Sequence, residues 1–480
     1  MKAETMAQTI TIEPVSRVEG HAKITIHLGP DGQVQDARFH VLEFRGFEKF
    51  CEGRHFQEMP AITSRVCGIC PVSHMLASAD AGDRLLAVEI PDTALRLRRV
   101  VNLAQIVQSH ALSFFYLSSP DLLLGYDAPP AARNVLGLAA AHPEIARRGI
   151  RLRQFGQTAI ELIAGKRIHA SWAIAGGVNA SLSAAARDQI LAALPEAIET
   201  ARLTLDWFRA SLPSHDEEAR TFGHFPTLFM GMVTPDGSLE SYGGRLRIID
   251  AHGRLVADQL DAAQARVLLG ERVEPWSYLK SPFLKALGPD EGAYRVGPLA
   301  RLNVAQRCGT PLADEEFARF RSLSAGPVLG SFHYHYARLI EILFGLERIG
   351  ELLDDPSCLS TDVLARASRN RLRGIGMSEA PRGTLFHDYT VDEDGLLTSV
   401  DLLIATGQNN LAMNRAVTQI AKAYLHADRL DEGLLNRVEA GIRAFDPCLS
   451  CSTHAAGTMP LVVEVHDVNG ATIGRIDRRA

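Results

Sequence analysis

The chain has 480 residues, of which 46% are hydrophobic and 22% charged, and a formal net charge of -6. That length supports a large core, and the mild acidity argues against nucleic acid or an anionic membrane as the main partner. No apolar run is long enough to span a bilayer, and the polar start from Met1 to Gln8 lacks the apolar segment of a signal peptide, so a cytoplasmic setting is expected.

The first elements read as sheet. Thr9 to Ile12 is a short strand, and Ala22 to His27 alternates with Ile24 and Ile26 on one face. Pro30-Asp31-Gly32 is a turn signal, after which Val34 to Leu42 returns as the second strand of a hairpin. Beyond Pro91 the period changes. Leu97, Val100, Val101, Ala104, Val107, Ala111, Phe114 and Phe115 recur every three or four residues and predict a long helix, capped by Asp92 or Thr93. Ile145 to Ile163, Ile190 to Phe208, Tyr334 to Leu353 and Asn410 to Leu425 read the same way. Helices of that length bury their stripes best as a bundle. Leu239 to Val256 reads as short strands, including Arg245 to Asp250. Leu461 to Ile476 alternates around Asn469-Gly470, a strong hairpin signal. The fold class expected is mainly α with peripheral β (α+β): a helical-bundle core with N-terminal strands.

Seven cysteines without a signal peptide argue against a disulfide framework. Four of them form two Cys-x-x-Cys pairs near opposite ends of the chain. The first lies in Arg65-Val66-Cys67-Gly68-Ile69-Cys70, with His74 one helical turn on. The second lies in Asp446-Pro447-Cys448-Leu449-Ser450-Cys451, with His454 three residues later. A zinc ribbon places its second pair about 15–20 residues after the first. Here nearly the whole protein separates them, so a site built from both closes across the core. Four thiolates suit a soft metal. The bland reading is structural zinc. Cys51, Cys308 and Cys358 match no metal motif and read as buried apolar thiols.

These motifs resemble those of the large subunit of nickel–iron hydrogenases. The resemblance extends through Arg17-Val18-Glu19-Gly20-His21, Arg45-Gly46-Phe47-Glu48 and Ala380-Pro381-Arg382-Gly383, and so runs over most of the chain. Asp127-Ala128-Pro129-Pro130-Ala131-Ala132-Arg133-Asn134-Val135-Leu136-Gly137 and Arg295-Val296-Gly297-Pro298-Leu299 look closest to the soluble, bidirectional, NAD-reducing branch. The resemblance implies reversible oxidation of H2 to protons and electrons. It implies a nickel–iron centre with carbon monoxide and cyanide on iron, Cys67 and Cys448 terminal on nickel, and Cys70 and Cys451 bridging. Cys448 is the expected proton acceptor, with Arg382 the rival base, and Glu19 the first proton carrier. Glu19 could instead be salt-bridged, since Arg17 is close in sequence.

Glu48, the backbone near Leu402, and His454 resemble a site for magnesium or a similar divalent cation, although Glu48 could instead pair with Arg45 or Lys49. His74 is expected to orient a thiolate, or else to be a satisfied core histidine. Asp446 is expected to partner Arg382, to cap a helix at Pro447, or to do both. Pro381 belongs to the segment that presents Arg382, and Thr406 is expected to donate to a cyanide. Ser109 stands where many membrane-type relatives carry Asp, which removes one carboxylate partner of Arg382.

No Rossmann fingerprint or further cluster motif is present, so electrons must leave through partners. The implied partners are a small subunit carrying an iron–sulfur cluster, and diaphorase subunits carrying FMN and further clusters and reducing NAD. Maturation chaperones and a C-terminal endopeptidase are also implied. Residues 1–454 would be the catalytic domain. Residues 455–480 would be an extension cut between His454 and Ala455 after metal insertion, the alternative being a permanent hairpin packed on the core. The competing functions are a hydrogenase of another soluble branch with a different acceptor, a hydrogen sensor, and a structural metal protein.

Overall fold

The computed structural model describes residues 8–428, 430–453, 461–466 and 471–478. His454 and Ala455 lie outside them. Strands β1 (Gln8–Ile12), β2 (Ala22–Leu28) and β3 (Val34–Val41) form an antiparallel sheet in that order. Ile24 and Ile26 point to the same side of β2 and are fully buried, as their spacing requires.

Helices α1 (Pro71–Leu86), α2 (Asp92–Leu112), α3 (Pro143–Ala164), α4 (Ala184–Ser211) and α5 (Tyr334–Asp354) make the central bundle. Helix α2 packs on α3 and α5, and α4 closes against α3 and α5. The predicted stripe from Leu97 to Phe115 is buried at every position. Phe114 and Phe115 sit in a π-helical turn, Ser113–Ser118, that continues α2. The expected cap differs. Pro91 occupies the N-cap position without a side-chain cap, and the Thr93 hydroxyl donates to the Ser357 carbonyl at 3.2 Å. Helices α6 (Asn410–Tyr424) and α7 (Glu432–Phe445) complete the set and pack on each other.

Two sheets lie beside the bundle. One orders Tyr294–Arg295, Leu228–Val233, Arg245–Ile249 and Leu255–Leu260. The other is an antiparallel sheet of β4 (Arg373–Ala380), β5 (Gly383–Val391) and β6 (Leu397–Leu403), and β4 lies directly on α1. Contact is so close that a Cβ at Gly376 would meet the Ala77 carbonyl oxygen at 2.2 Å, so only glycine fits. Leu461–His466 and Thr472–Arg478 pair as an antiparallel hairpin, as the alternation around Asn469-Gly470 predicts. Among the described residues, no helix is long and apolar enough to cross a membrane.

Candidate metal centre

The two Cys-x-x-Cys turns are built by helix ends. Cys67 follows a short 3-10 turn, Ser64–Val66, and Cys70 is the N-cap of α1, with Pro71 starting the helix. The Cys67 sulfur accepts the backbone N–H groups of Ile69 at 3.2 Å and Cys70 at 3.4 Å. On the other side α7 stops at Asp446, which adopts the left-handed conformation (φ 55°, ψ 55°), and Pro447 prevents continuation. Asp446 therefore ends the preceding helix; the expected cap of a helix at Pro447 is not formed.

The fold brings all four sulfurs together, within 4.8 Å of one another, and all four residues are buried. Sγ–Sγ distances are 3.3 Å for Cys67–Cys448, 3.5 Å for Cys70–Cys451 and 2.8 Å for Cys448–Cys451, and none is a disulfide. Burial pushes the Cys448 and Cys451 thiols up, while hydrogen bonds from Cys448 and its neighbours bring Cys70 down. Four such sulfurs cannot all ionise in a dry site without cations, which makes the donor set one for soft divalent metal.

Glu19 is held by backbone. It forms a parallel bridge with Cys448; the Leu449 N–H donates to its carbonyl at 3.1 Å, and the Ser450 N–H donates to its carboxylate at 3.1 Å. The neighbouring Gly20 has φ +89°, and a Cβ there would meet Leu449 Cβ at 2.7 Å, so this approach demands glycine. Arg17 is not the partner of Glu19. It pairs with the buried Asp121, which also binds Arg443 at 2.7 Å. Burial would raise the Asp121 carboxyl, but Arg443 and Arg17 hold it below its ordinary value.

Arg382 sits with Pro381 in the two-residue turn between β4 and β5. The Pro381 carbonyl accepts from Arg301 at 3.2 Å, within a buried cluster of Arg301, Glu341 and Glu379. Arg382 itself is 3% exposed. Burial opposes its charge, but Asp446 and the sulfurs of Cys448, Cys70 and Cys67 outweigh that and hold the guanidinium protonated. Ser109 accepts from Arg382 Nη1 at 3.3 Å, so the site keeps a polar partner without a second carboxylate.

Thr406 lies in the short helix Ala405–Gln408, and its hydroxyl oxygen accepts the Cys448 N–H at 3.0 Å. His74 is buried, with its Nδ1 3.2 Å from His387 Nε2. Glu48 accepts the Leu402 N–H at 2.9 Å, and burial pushes its carboxyl up to about 7. Neither alternative partner takes it. Lys49 pairs with Glu52, and Arg45 donates to the carbonyls of Val66 and Ser450, one from each cysteine turn. Cys51, Cys308 and Cys358 are buried apart from the cluster.

Sequence reasoning missed two groups. Gln105 and Gln108 of α2 both donate to the Ile69 carbonyl, at 2.7 and 2.9 Å, pinning the first cysteine turn to the bundle. Their signal was a run of polar residues (Asn102, Gln105, Gln108 and Ser109) at helical spacing, buried together with the apolar stripe of the same helix.

Comparison with known proteins agrees with this geometry. A family model described as HoxL-like matches residues 9–44, and one described as nickel-dependent hydrogenase matches residues 45–132. The chain is 43% identical to the NAD-reducing hydrogenase HoxS subunit beta of Cupriavidus necator, over 99% of this chain and 100% of that one. It is 38% identical to a chain of the vhc F420-non-reducing hydrogenase of Methanococcus voltae, over 97% and 98% of the two chains. A solved NAD+-reducing [NiFe]-hydrogenase in the H2-reduced state superposes with a TM-score of 0.91 at 47% identity, covering 93% of this chain and 99% of that one. A Ni-Fe-Se hydrogenase of D. vulgaris Hildenborough, at 21% identity and a TM-score of 0.77, shares the fold over 93% of this chain and 100% of its own. Four converging buried cysteines and full-length similarity at this level lead to one conclusion: the chain belongs to the family of nickel–iron hydrogenase large subunits.

Proposed function

We propose that this chain is the catalytic large subunit of an NAD-reducing nickel–iron hydrogenase, which oxidises H2 reversibly to protons and electrons. The observation that carries the reading is the set of four buried sulfurs from opposite ends of the chain, all within 4.8 Å of one another. The likeness to an NAD-reducing relative over the full length supports the acceptor.

Cys67, Cys70, Cys448 and Cys451 would hold a nickel–iron centre whose iron would carry carbon monoxide and cyanide. When bound, this group supplies heterolysis of H2. The chain's part is to hold it dry and to handle the proton. The Cys448 sulfur would accept the proton, because a guanidinium such as Arg382 stays charged. Arg382, fixed by Asp446, would place its charge and its remaining N–H groups at the service of the centre. The Thr406 oxygen is engaged by the Cys448 N–H, and its own proton would be free to donate to a ligand of the centre. The Glu19 carboxylate, anchored beside the second cysteine turn, takes the proton onward.

Glu48, the Leu402 backbone and His454 would hold magnesium. A carboxyl pushed up to about 7 by burial gains from a hard cation beside it. Electrons would leave to a small subunit with an iron–sulfur cluster, then to an FMN-containing diaphorase and NAD. Maturation chaperones would load the metals, and an endopeptidase would remove residues 455–480.

The test is infrared spectroscopy with metal analysis on the anaerobically purified complex, together with an assay of H2-dependent NAD reduction. Carbon monoxide and cyanide bands with stoichiometric nickel are expected. Zinc without those bands overturns the centre, and bands with H2 turnover but no NAD reduction overturn the acceptor.

A further inference from the structure

One buried carboxylate joins the two segments that meet at Glu19 and Cys448. Asp121, in the short helix Ser119–Leu124, is 2% exposed. Its Oδ1 accepts from Arg17 Nη2 at 2.5 Å and from Asn436 Nδ2 at 3.0 Å, and its Oδ2 accepts from Arg443 Nη1 at 2.7 Å. Arg17 shares the β1–β2 connection with Glu19, and Arg443 lies in the last turn of α7, ahead of the second cysteine turn. Arg443 also crosses between the segments directly, since its Nε donates to the Ser16 carbonyl at 3.1 Å. The Ser16 N–H donates to Glu439 at 2.6 Å, and Glu439 accepts from Arg443 at 3.1 Å. Asn436, Glu439 and Arg443 recur at three- and four-residue spacing, so α7 presents all three on one face.

Charge is balanced within this clasp. Two carboxylates, Asp121 and Glu439, face two guanidiniums, Arg17 and Arg443, and Arg133, 3.6 Å from Asp121, brings its own partner Glu432. Arg17 has φ 55°, a left-handed conformation that residues with a Cβ rarely adopt. Its side chain ties that turn to Asp121 and to the Leu117 carbonyl, at 2.8 Å. Downstream, the Glu19 carbonyl and carboxylate accept the N–H groups of Leu449 and Ser450. Those two bonds form only while both segments keep their separation, which the clasp fixes with charge-assisted bonds, the stronger kind.

The geometry points to Asp121 and Arg443 as positioning residues that hold the Glu19 loop in register with the second cysteine turn, and so fix the separation between the Glu19 carboxylate and the Cys448 sulfur. This rests on the proposed reading of Glu19 as the proton carrier. The two residues act through the loop rather than on the proton, and a misplacement of about 1 Å in a reacting group can cost about 10²-fold.

The test uses the whole complex. Asp121→Asn turns one accepting oxygen into an amide that can only donate, so one guanidinium loses its acceptor. Nickel content and the carbon monoxide and cyanide bands should match wild type, which separates positioning from a general loss of structure. The Leu449 and Ser450 amides should exchange with D2O faster by about tenfold or more, as the loss of one charge-assisted bond requires. Hydrogen–deuterium exchange of H2 should slow by about 10- to 10²-fold. Unchanged exchange at Leu449 and Ser450 overturns the proposal. Faster amides with H2 exchange at the wild-type rate leave the clasp standing and overturn instead the reading of Glu19 as carrier. Should Asp121→Asn fail to take up nickel, Arg443→Lys decides on the same readouts, since it keeps the charge and loses the fork that joins Asp121 to Ser16. In the wild-type complex the two amides should exchange slowly, and fast exchange there overturns the proposal whatever the variants do.

Discussion

Arg382 is bound to Asp446 twice: Nε donates to the Asp446 carbonyl at 2.7 Å, and Nη2 donates to its carboxylate at 3.2 Å. The left-handed turn at Asp446 makes both contacts available from one residue, because it ends α7 and turns the carbonyl and the side chain toward the β4–β5 turn. Arg382 is thereby fixed by the same segment that carries Cys448, so guanidinium and sulfur move together.

This arrangement separates the charge of Arg382 from its shape. Lysine at that position keeps the charge and loses the planar fork that makes two directed bonds. Arg382→Lys should retain nickel by metal analysis and lose about 10²-fold or more in H2 turnover. Turnover equal to wild type would contradict the positioning role.

Glu19 offers a cleaner proton test. Glutamine can still accept the Ser450 N–H but cannot carry a proton. Glu19→Gln should keep nickel and the infrared bands while slowing hydrogen–deuterium exchange by about 10²- to 10⁴-fold. Exchange at the wild-type rate with a loaded centre would remove Glu19 from the route.

Arg45 spans the cluster from outside, joining the Val66 and Ser450 carbonyls, and its own N–H donates to the Thr453 carbonyl at 3.0 Å. Deleting the side chain leaves the backbone anchor and removes the clasp. Arg45→Ala should lower the stability of the metal-free chain by about 1–3 kcal/mol, measured by denaturant unfolding, and speed nickel loss to a chelator. Unchanged chelation kinetics would show that the turns hold each other without it.

The parts legible in the sequence were those with a repeating spacing. Cysteine pairs, the stripe of α2 and the β2–β3 alternation each carry their own period. Helix α1 does not. Pro71, Val72, Ser73, His74, Met75 and Leu76 are all buried, so polar and apolar positions face protein alike and no stripe emerges. The β4–β6 sheet was hidden for a related reason. Gly374 and Gly376, which weaken the strand signal of their segment, are what let β4 touch α1. The role of Asp446 was half legible. A carboxylate near Arg382 could be guessed, but which helix it ends depends on a backbone turn that Pro447 alone does not specify.

His110 gives a pH signature of its own. Its Nε2–H donates to Glu341 at 2.8 Å, and its Nδ1 has no partner among the described residues. Burial lowers its pKa to about 4, while Glu341, despite burial, is lowered to about 2 chiefly by Arg301. His110 is thus neutral at pH 7. Its folded pKa is below the unfolded value of 6.5, so the unfolded chain binds more protons between the two. This contribution is complete above pH 6.5 and is lost as pH falls toward 4. The loss is on the order of 3 kcal/mol. His110→Gln should flatten that part of the stability–pH curve in denaturant titrations. An unchanged slope would assign the acid sensitivity elsewhere.

The proposed cut after His454 is a statement about order of events. Thr453, immediately before it, is buried and tied to Arg45, whereas Ile473 on the second strand of the tail hairpin is 67% exposed. An exposed strand contributes little to the core, so its removal should cost the enzyme little stability, and closing the cysteine turn should not need it. Nickel-loaded chain should therefore have an intact mass ending at His454, and chain lacking nickel should retain residues 455–480. In a strain without the endopeptidase, full-length chain should accumulate without H2 turnover. Full-length chain carrying nickel and turning over H2 would show that the tail is a permanent part of the enzyme.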